Sequence, residues 1–419
     1  MLSYAEPSIF QSMNISILSI GDELLSGRTL NTNATWIGKT LTEIGCVILD
    51  QTVIPDDEST IIKTLNAMID TNKESCLIIT GGLGPTEDDV TRQSLFKYVG
   101  AEEEFDSEYW QYLSNRFKKF GIDIPQSNRN QALVPTTGEI IENPIGSARG
   151  FKFKMGKSVL FSLPGVPKEM KEMTKVSILP WLQKRSDKIF HSTTIRTTGI
   201  PESVLIEEIS IILESNHGCR LGYYPSLFGV DIHVISEDKN FKDALSDNIV
   251  SVLGDKVYAL EKENIEDVVI KIAQKKNITL SVSESCTGGL IGHRLTEVSG
   301  SSNTFKGGVV AYSNYAKINI LGINEQILEN HGAVSEETAK EMALRSRTIF
   351  SSDIGLSVTG IAGPDGGSNE KPVGLVFVAL STEKGIKVRE YKFDSNRTNN
   401  KLRTSQVALN WLRLEMQNV

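Results

Sequence analysis

The chain contains no apolar run near the ~18–20 residues that a helix needs to cross a bilayer, so a membrane-spanning role is not expected of its 419 residues. The first dozen residues lack both the basic start and the apolar stretch of a secretory signal. Residues 1–13 therefore read as an extension, with Met13 a second candidate start. Cysteine is scarce: Cys46, Cys76, Cys219 and Cys286 stand far apart, form no CxxC pair, and have no histidine at metal-ligand spacing beside them. That excludes a zinc module or disulfide framework and fits a reducing, cytoplasmic setting. Basic residues are outnumbered 44 to 52, and the net charge of −8 argues against a nucleic-acid partner, because phosphate-backbone affinity needs clustered Lys and Arg. Neither a Walker A sequence nor a GxGxxG pattern is present.

What remains is an ordinary enzyme-like composition, 39% hydrophobic and 23% charged, in a chain long enough for two or three domains. The overall expectation is α/β, with three blocks. Residues 14–185 alternate β-branched runs (15–20, 76–80) with helical stretches (32–41), the pattern of a largely parallel sheet. Residues 190–260 read as a small α+β, KH-like unit with strands at 193–198, 220–224, 230–235 and 257–260 and helices at 201–213 and 241–252. Residues 264–415 form a second α/β block. Its strands fall at 278–283, 307–312, 354–359 and 373–380, and an amphipathic helix spans about 400–412. No internal repeat links the first block to the third.

In the third block, polar and small residues concentrate at strand ends, where open α/β sheets hold ligands. Glu284-Ser285-Cys286-Thr287-Gly288-Gly289 forms a strand-to-helix turn whose free N–H groups could face an anion. Gly300-Ser301-Ser302 precedes Tyr312-Ser313-Asn314 and Lys317. A serine becomes nucleophilic only if a base takes its proton, and a lysine serves once burial or nearby positive charge depresses its pKa. Thr359-Gly360-Ile361-Ala362-Gly363-Pro364-Asp365-Gly366-Gly367, with Lys371–Gly374 behind it, would let backbone approach a ligand closely. The bland reading is that such glycine turns are structural. His293 and His331 have no triad-like carboxylate arrangement and read as structural. Cys286 imitates a nucleophile, since a helix N-terminus lowers a thiol pKa.

These segments, with His331-Gly332-Ala333-Val334-Ser335, closely resemble the CinA C-terminal family, the nicotinamide-nucleotide amidases, over about the last 150 residues. The resemblance implies a metal-free serine amidohydrolase acting on nicotinamide mononucleotide, with no cofactor. It also implies Ser302 as nucleophile, with Ser285 the alternative, Lys317 as general base and Tyr312 as a hydrogen-bonding assistant. Ser285, Thr287, Gly288, Gly289, Thr359, Gly360, Gly363, Asp365, Gly366 and Gly367 would bind substrate, and Arg397 would hold its phosphate in a bidentate grip.

The first block carries Gly21-Asp22-Glu23 after its first strand and Thr80-Gly81-Gly82-Leu83-Gly84-Pro85-Thr86-Glu87-Asp88-Asp89 after a later one. Glycines admit a nucleotide, and carboxylates at the same strand ends could hold a hard cation against its pyrophosphate. Together with Asn31-Thr32-Asn33, Asn128–Ala132, Asn143–Gly146 and Leu163–Met170, they resemble the molybdopterin-binding-like domain of full-length CinA proteins; Arg149 stands where that pattern has proline. The resemblance implies ADP-ribose pyrophosphatase activity using Mg²⁺ or a similar ion. Gly21, Glu23, Asn33, Gly81, Gly82, Gly84, Thr86 and Gly165 would bind nucleotide, and Asp88 and Asp89 metal. The alternatives are a non-catalytic nucleotide or molybdopterin scaffold, and carboxylates that merely complement a helix dipole. A homodimer is implied by the resemblance alone.

Overall fold

The computed structural model describes residues 14–185, 190–214 and 218–418, so the extension expected over 1–13 lies outside the described residues. The chain forms two compact units, Met1–His191 and Ser192–Val419. No helix among the described residues is long and apolar enough to cross a membrane.

The first unit is built on a six-stranded sheet. Its strands are β1 (Asn14–Ile20), β2 (Ile48–Ile54), β3 (Ser75–Thr80), β4 (Glu139–Ile141), β5 (Gly150–Met155) and β6 (Ser158–Leu163), in the order β2-β1-β3-β6-β5-β4. β1 runs parallel to β2 and β3, and β3 parallel to β6. Successive strand residues point to opposite faces, and β1 uses both. Ile15 and Ile17 pack on Ala34, Ile37 and Leu41 of α1 (Thr32–Glu43). Leu18 and Ile20 share a core with Ile61 and Leu65 of α2 (Glu58–Met68). Burial on both faces explains why β3 reads as a continuous apolar run over 76–79. The antiparallel end, where β5 pairs with β6 and β4 with β5, is the part the alternating pattern does not announce.

The second unit opens with a four-stranded sheet, β7 (His191–Thr197), β8 (Arg220–Pro225), β9 (Val230–Ser236) and β10 (Val257–Leu260), ordered β8-β9-β7-β10. The helices α3 (Glu202–Glu214) and α4 (Lys239–Leu253) supply Leu205, Ile209, Leu245 and Ile249 to the core beneath it. The helix α5 (Ile265–Lys276) follows, its capping box on Asn264 and Asp267 marking its start. The remaining chain forms the strands β11 (Leu280–Glu284), β12 (Phe305–Val310), β13 (Ile354–Gly360), β14 (Leu375–Thr382) and β15 (Gly385–Lys392), ordered β12-β11-β13-β14-β15. β11 is parallel to β12 and β13; the last two pairings are antiparallel.

One face of this sheet is covered by α5, α6 (Leu290–Glu297) and α8 (Arg397–Gln417), through Val269, Ile270, Ile291, Leu295, Leu409 and Leu412. Ala339 and Ala343 of α7 (Glu336–Phe350) pack against Ala379 in a separate small core. Tyr258 and Ala259 of β10 enter the main core, and Arg413 of α8 donates to the carbonyls of Val257 (3.0 Å) and Asp255 (2.5 Å). The small module and the C-terminal sheet are thus joined by buried contacts. The helix α8 starts earlier than its apolar stripe suggests, because Asn396 accepts from the Asn399 amide and caps it.

Candidate active site and a second nucleotide-sized cavity

β11 ends in the middle of the sheet, and its next residue, Ser285, is tied to β13 by its N–H donating to the Val358 carbonyl at 2.9 Å. The chain then turns tightly, the Gly288 amide donating back to the Ser285 carbonyl. Gly288 (φ +64°) and Gly289 (φ +93°) occupy left-handed backbone that a side chain would strain. Glu284 is 2% exposed, and its carboxylate accepts from the amides of Gly289 (3.0 Å), Ile291 (3.1 Å) and Gly292 (2.8 Å). The start of α6 is therefore satisfied by a side chain of this protein. The expectation of free amides facing a substrate phosphate is corrected for Gly288 and Gly289, whose N–H groups are taken by the Ser285 carbonyl and the Glu284 carboxylate.

On the neighbouring strand, β12 ends at Val310, and the chain enters a widened turn over Ala316–Ile320 in which the Leu321 amide reaches the Ala316 carbonyl. Such turns insert a residue and re-aim a side chain. Here it is Lys317, 1% exposed. Its Nζ donates to the Ala311 carbonyl at 2.8 Å and lies 3.0 Å from Ser285 Oγ. Among the described residues no carboxylate lies within ion-pair distance of it. Burial pushes the Lys317 pKa below the ordinary lysine value, with the Cys286 thiol acting weakly in the other direction. The same burial pushes Cys286 up to about 12, so this cysteine is a thiol near neutrality. An amine whose charged form is disfavoured by burial and which touches a serine hydroxyl is an arrangement that can serve a serine nucleophile.

In the first unit, a cavity of about 520 Å³ opens at the carboxyl ends of β1, β3 and β6. Gly81 (φ +105°) lies so close to the Ile20 carbonyl, and Gly82 (φ +63°) to the Thr91 hydroxyl, that neither position admits a Cβ. Gly165 packs on Gly81, and Asn33 donates to the Gly165 carbonyl at 2.7 Å. Glu23, Asp56, Asp88, Asp89 and Glu169 all line the cavity. Asp89 already accepts from the Thr86 amide (2.9 Å) and hydroxyl, and Asp56 from the Asp22 amide. Burial, then the charges of Asp22, Glu23 and Asp88, raise the Asp56 pKa above the usual carboxylate range. Among the described residues no three His, Cys, Asp or Glu side chains converge as a ready metal cage. A Mg²⁺ that keeps several waters and leans on substrate phosphate needs only one or two carboxylates; Asp56, Asp88 and Asp89 all line the cavity, with Asp56 turned to the Asp22 amide and Asp88 and Asp89 both held by Thr86.

Comparison with known proteins follows the same divisions. Residues 16–184 match the family described as "Probable molybdopterin binding domain", 192–259 the damage-inducible protein CinA KH domain, and 262–416 the CinA C-terminal domain. A CinA-like protein of Geotalea daltonii is 39% identical over 412 residues, covering 96% of this chain and 99% of its own. The chain belongs to the CinA family. Another CinA-like protein, from Citrifermentans bemidjiense, is 36% identical over 405 residues, covering 96% and 97% of the two chains. Among solved structures, competence/damage inducible protein CihA from Agrobacterium tumefaciens is 38% identical over 37% of this chain and 97% of its own, with a TM-score of 0.35.

Within this CinA-family chain, the residues expected from sequence are only partly brought together. Ser302 is exposed on a short turn ahead of the amino end of β12, whereas Lys317 follows its carboxyl end. The pairing of Ser302 with Lys317 is therefore corrected: the lysine meets Ser285. Tyr312 lies beyond β12, 60% exposed, and its hydroxyl accepts from Arg397 at 2.8 Å. Arg397 also donates to the Gly363 carbonyl at 2.7 Å, so two of its donors are spent within the protein. Thr359 is fully buried and gives its hydroxyl to the Ala333 carbonyl, a structural role in place of the expected substrate contact. Thr287 is equally buried, its hydroxyl without a partner. Asp365, Gly366 and Gly367 lie exposed on the loop after Gly360 and Gly363. Arg149, the residue in the proline position, is buried against the Tyr109 ring and paired with Asp106 at 2.7 Å. Sequence reasoning missed Glu284 as a cap, although it stands in the quoted motif, and Asp56, whose position depends on the fold.

Proposed function

We propose that the C-terminal part of this chain is a serine amidohydrolase converting nicotinamide mononucleotide and water to nicotinic acid mononucleotide and ammonia. Ser285 is the nucleophile and Lys317 the general base. The observation that carries this reading is the 3.0 Å approach of Lys317 Nζ to Ser285 Oγ in a site where that amine has no carboxylate partner among the described residues. The Ser285 oxygen attacks the carboxamide carbon as its proton passes to Lys317. The tetrahedral adduct expels ammonia, which takes that proton, and leaves an ester on Ser285. Water, deprotonated by the same amine, cleaves the ester and restores the serine. The cationic pyridinium ring of the substrate would further favour the neutral amine.

The test is ammonia release and product identification from nicotinamide mononucleotide with the full chain in the presence of a chelator. Wild type and Ser302→Ala should release ammonia, and Ser285→Ala should not. Release by Ser285→Ala together with its loss in Ser302→Ala would return the nucleophile to Ser302, and no release by folded wild type would remove the amidase reading.

For the first unit the reading is divalent-metal-dependent hydrolysis of ADP-ribose. It is supported by a cavity of about 520 Å³ that joins glycine turns suited to phosphates with crowded carboxylates. A divalent ion there would neutralise charge on the pyrophosphate, with Asp56 and Asp88 as its holders. Turnover of ADP-ribose should vanish in chelator and in Asp88→Ala. ADP-ribose binding without turnover at any metal concentration would favour the scaffold alternative.

A further inference from the structure

The first turns of α8 carry two cations on one face, Arg397 and, four residues later, Lys401. Neither lies within ion-pair distance of a carboxylate among the described residues, although acidic side chains outnumber basic ones in the chain, 52 to 44. Lys401 is partly exposed, and its Nζ hangs over the turn that follows Ser285, 3.6 Å from where a Cβ on Gly288 would stand. Gly288 itself is exposed, so the amine stands over bare, solvent-accessible backbone. Arg397 is tied to the Gly363 carbonyl and the Tyr312 hydroxyl. The helix that carries both is fixed: Asn400 donates to the carbonyls of Ala362 (3.1 Å) and Ser395 (2.9 Å).

We infer that Lys401 is the principal ligand of the substrate's phosphate and sets the preference for a mononucleotide over the corresponding nucleoside. Arg397 turns two of its five N–H donors to the Gly363 carbonyl and the Tyr312 hydroxyl and so holds that loop in place; among the described residues Lys401 donates to no group, which leaves its ammonium to a dianion. A compact ammonium suits a phosphate as a point charge.

This inference rests on the amidase reading, and its test separates the two. Calorimetric binding of nicotinamide mononucleotide is measured on the full chain carrying Ser285→Ala, then with Lys401→Ala or Lys401→Arg added. Losing one charge-assisted contact should weaken binding roughly ten- to hundredfold in the alanine variant, with much of it restored by arginine. In the chain with Ser285 intact, Lys401→Ala should raise KM far more than it lowers kcat, and the ratio of kcat/KM for mononucleotide over nicotinamide riboside should collapse towards one. Unchanged mononucleotide binding in Lys401→Ala overturns the assignment even where ammonia release by wild type is robust. Normal phosphate-dependent binding with no ammonia release removes the chemistry and leaves the subsite.

Discussion

Replacing Lys317 with methionine keeps the length and apolar stem of the side chain and removes only its amine. Two partners are left behind, Ser285 Oγ and the Ala311 carbonyl, at a cost of about 1 kcal/mol each. This is offset in part because the desolvated amine is gone, so the folded protein should survive. Activity should not survive: a positioned general base contributes about 10²–10⁴-fold, and kcat/KM for ammonia release should fall by that factor. The pH profile sharpens the test. Burial lowers the Lys317 pKa from 10.5, and the active form is the neutral amine, so wild-type kcat/KM should rise with pH through an ionisation below the ordinary lysine range and fall away on the acid side. The stability sign agrees. A lysine whose folded pKa is depressed favours the native state above its unfolded pKa and loses that advantage as pH falls through the folded value. Wild type should therefore gain stability over that window, and Lys317→Met should show neither the rate limb nor the stability slope. A variant that keeps activity within tenfold of wild type, with the acid limb unchanged, would refute the assignment of Lys317 as base.

Two further outcomes follow from the same geometry. Glu284→Gln keeps the shape of the side chain but replaces one acceptor oxygen with a donor facing the start of α6, so it should lower stability by about 1–2 kcal/mol; chemical denaturation followed on the C-terminal sheet measures this. Cys286→Ala should leave ammonia release intact, and the wild-type thiol, buried and pushed up to about 12, should react slowly with iodoacetamide at neutral pH; rapid labelling coupled to inactivation would contradict both.

The strand–turn–helix around 280–297 was legible because alternation, a hydroxyl-rich turn and an amphipathic stripe each leave a local mark. Partnership between Ser285 and Lys317 leaves none. It depends on β12 ending two residues before the apolar run suggests, on a widened turn that re-aims Lys317, and on parallel pairing that sets the ends of β11 and β12 side by side. Ser302 attracted attention as a serine upstream of that lysine, yet a whole strand separates the two. In the first unit the glycines of the 80–84 turn announced a close approach, and the structure shows what they approach, the Ile20 carbonyl and Thr91. Asp56 was invisible, because only the sheet order brings the end of β2 beside Asp22 and Asp88. Lys401 reads in sequence as one more charge on a helix; its meaning comes from the bare Gly288 opposite it.

The most direct test is to quench the full chain during turnover of nicotinamide mononucleotide and map the acylated residue by peptide mass spectrometry. The account predicts a nicotinate-mononucleotide ester on the peptide bearing Ser285, absent in Ser285→Ala. An ester on Ser302, or undiminished ammonia release by Ser285→Ala, would contradict it.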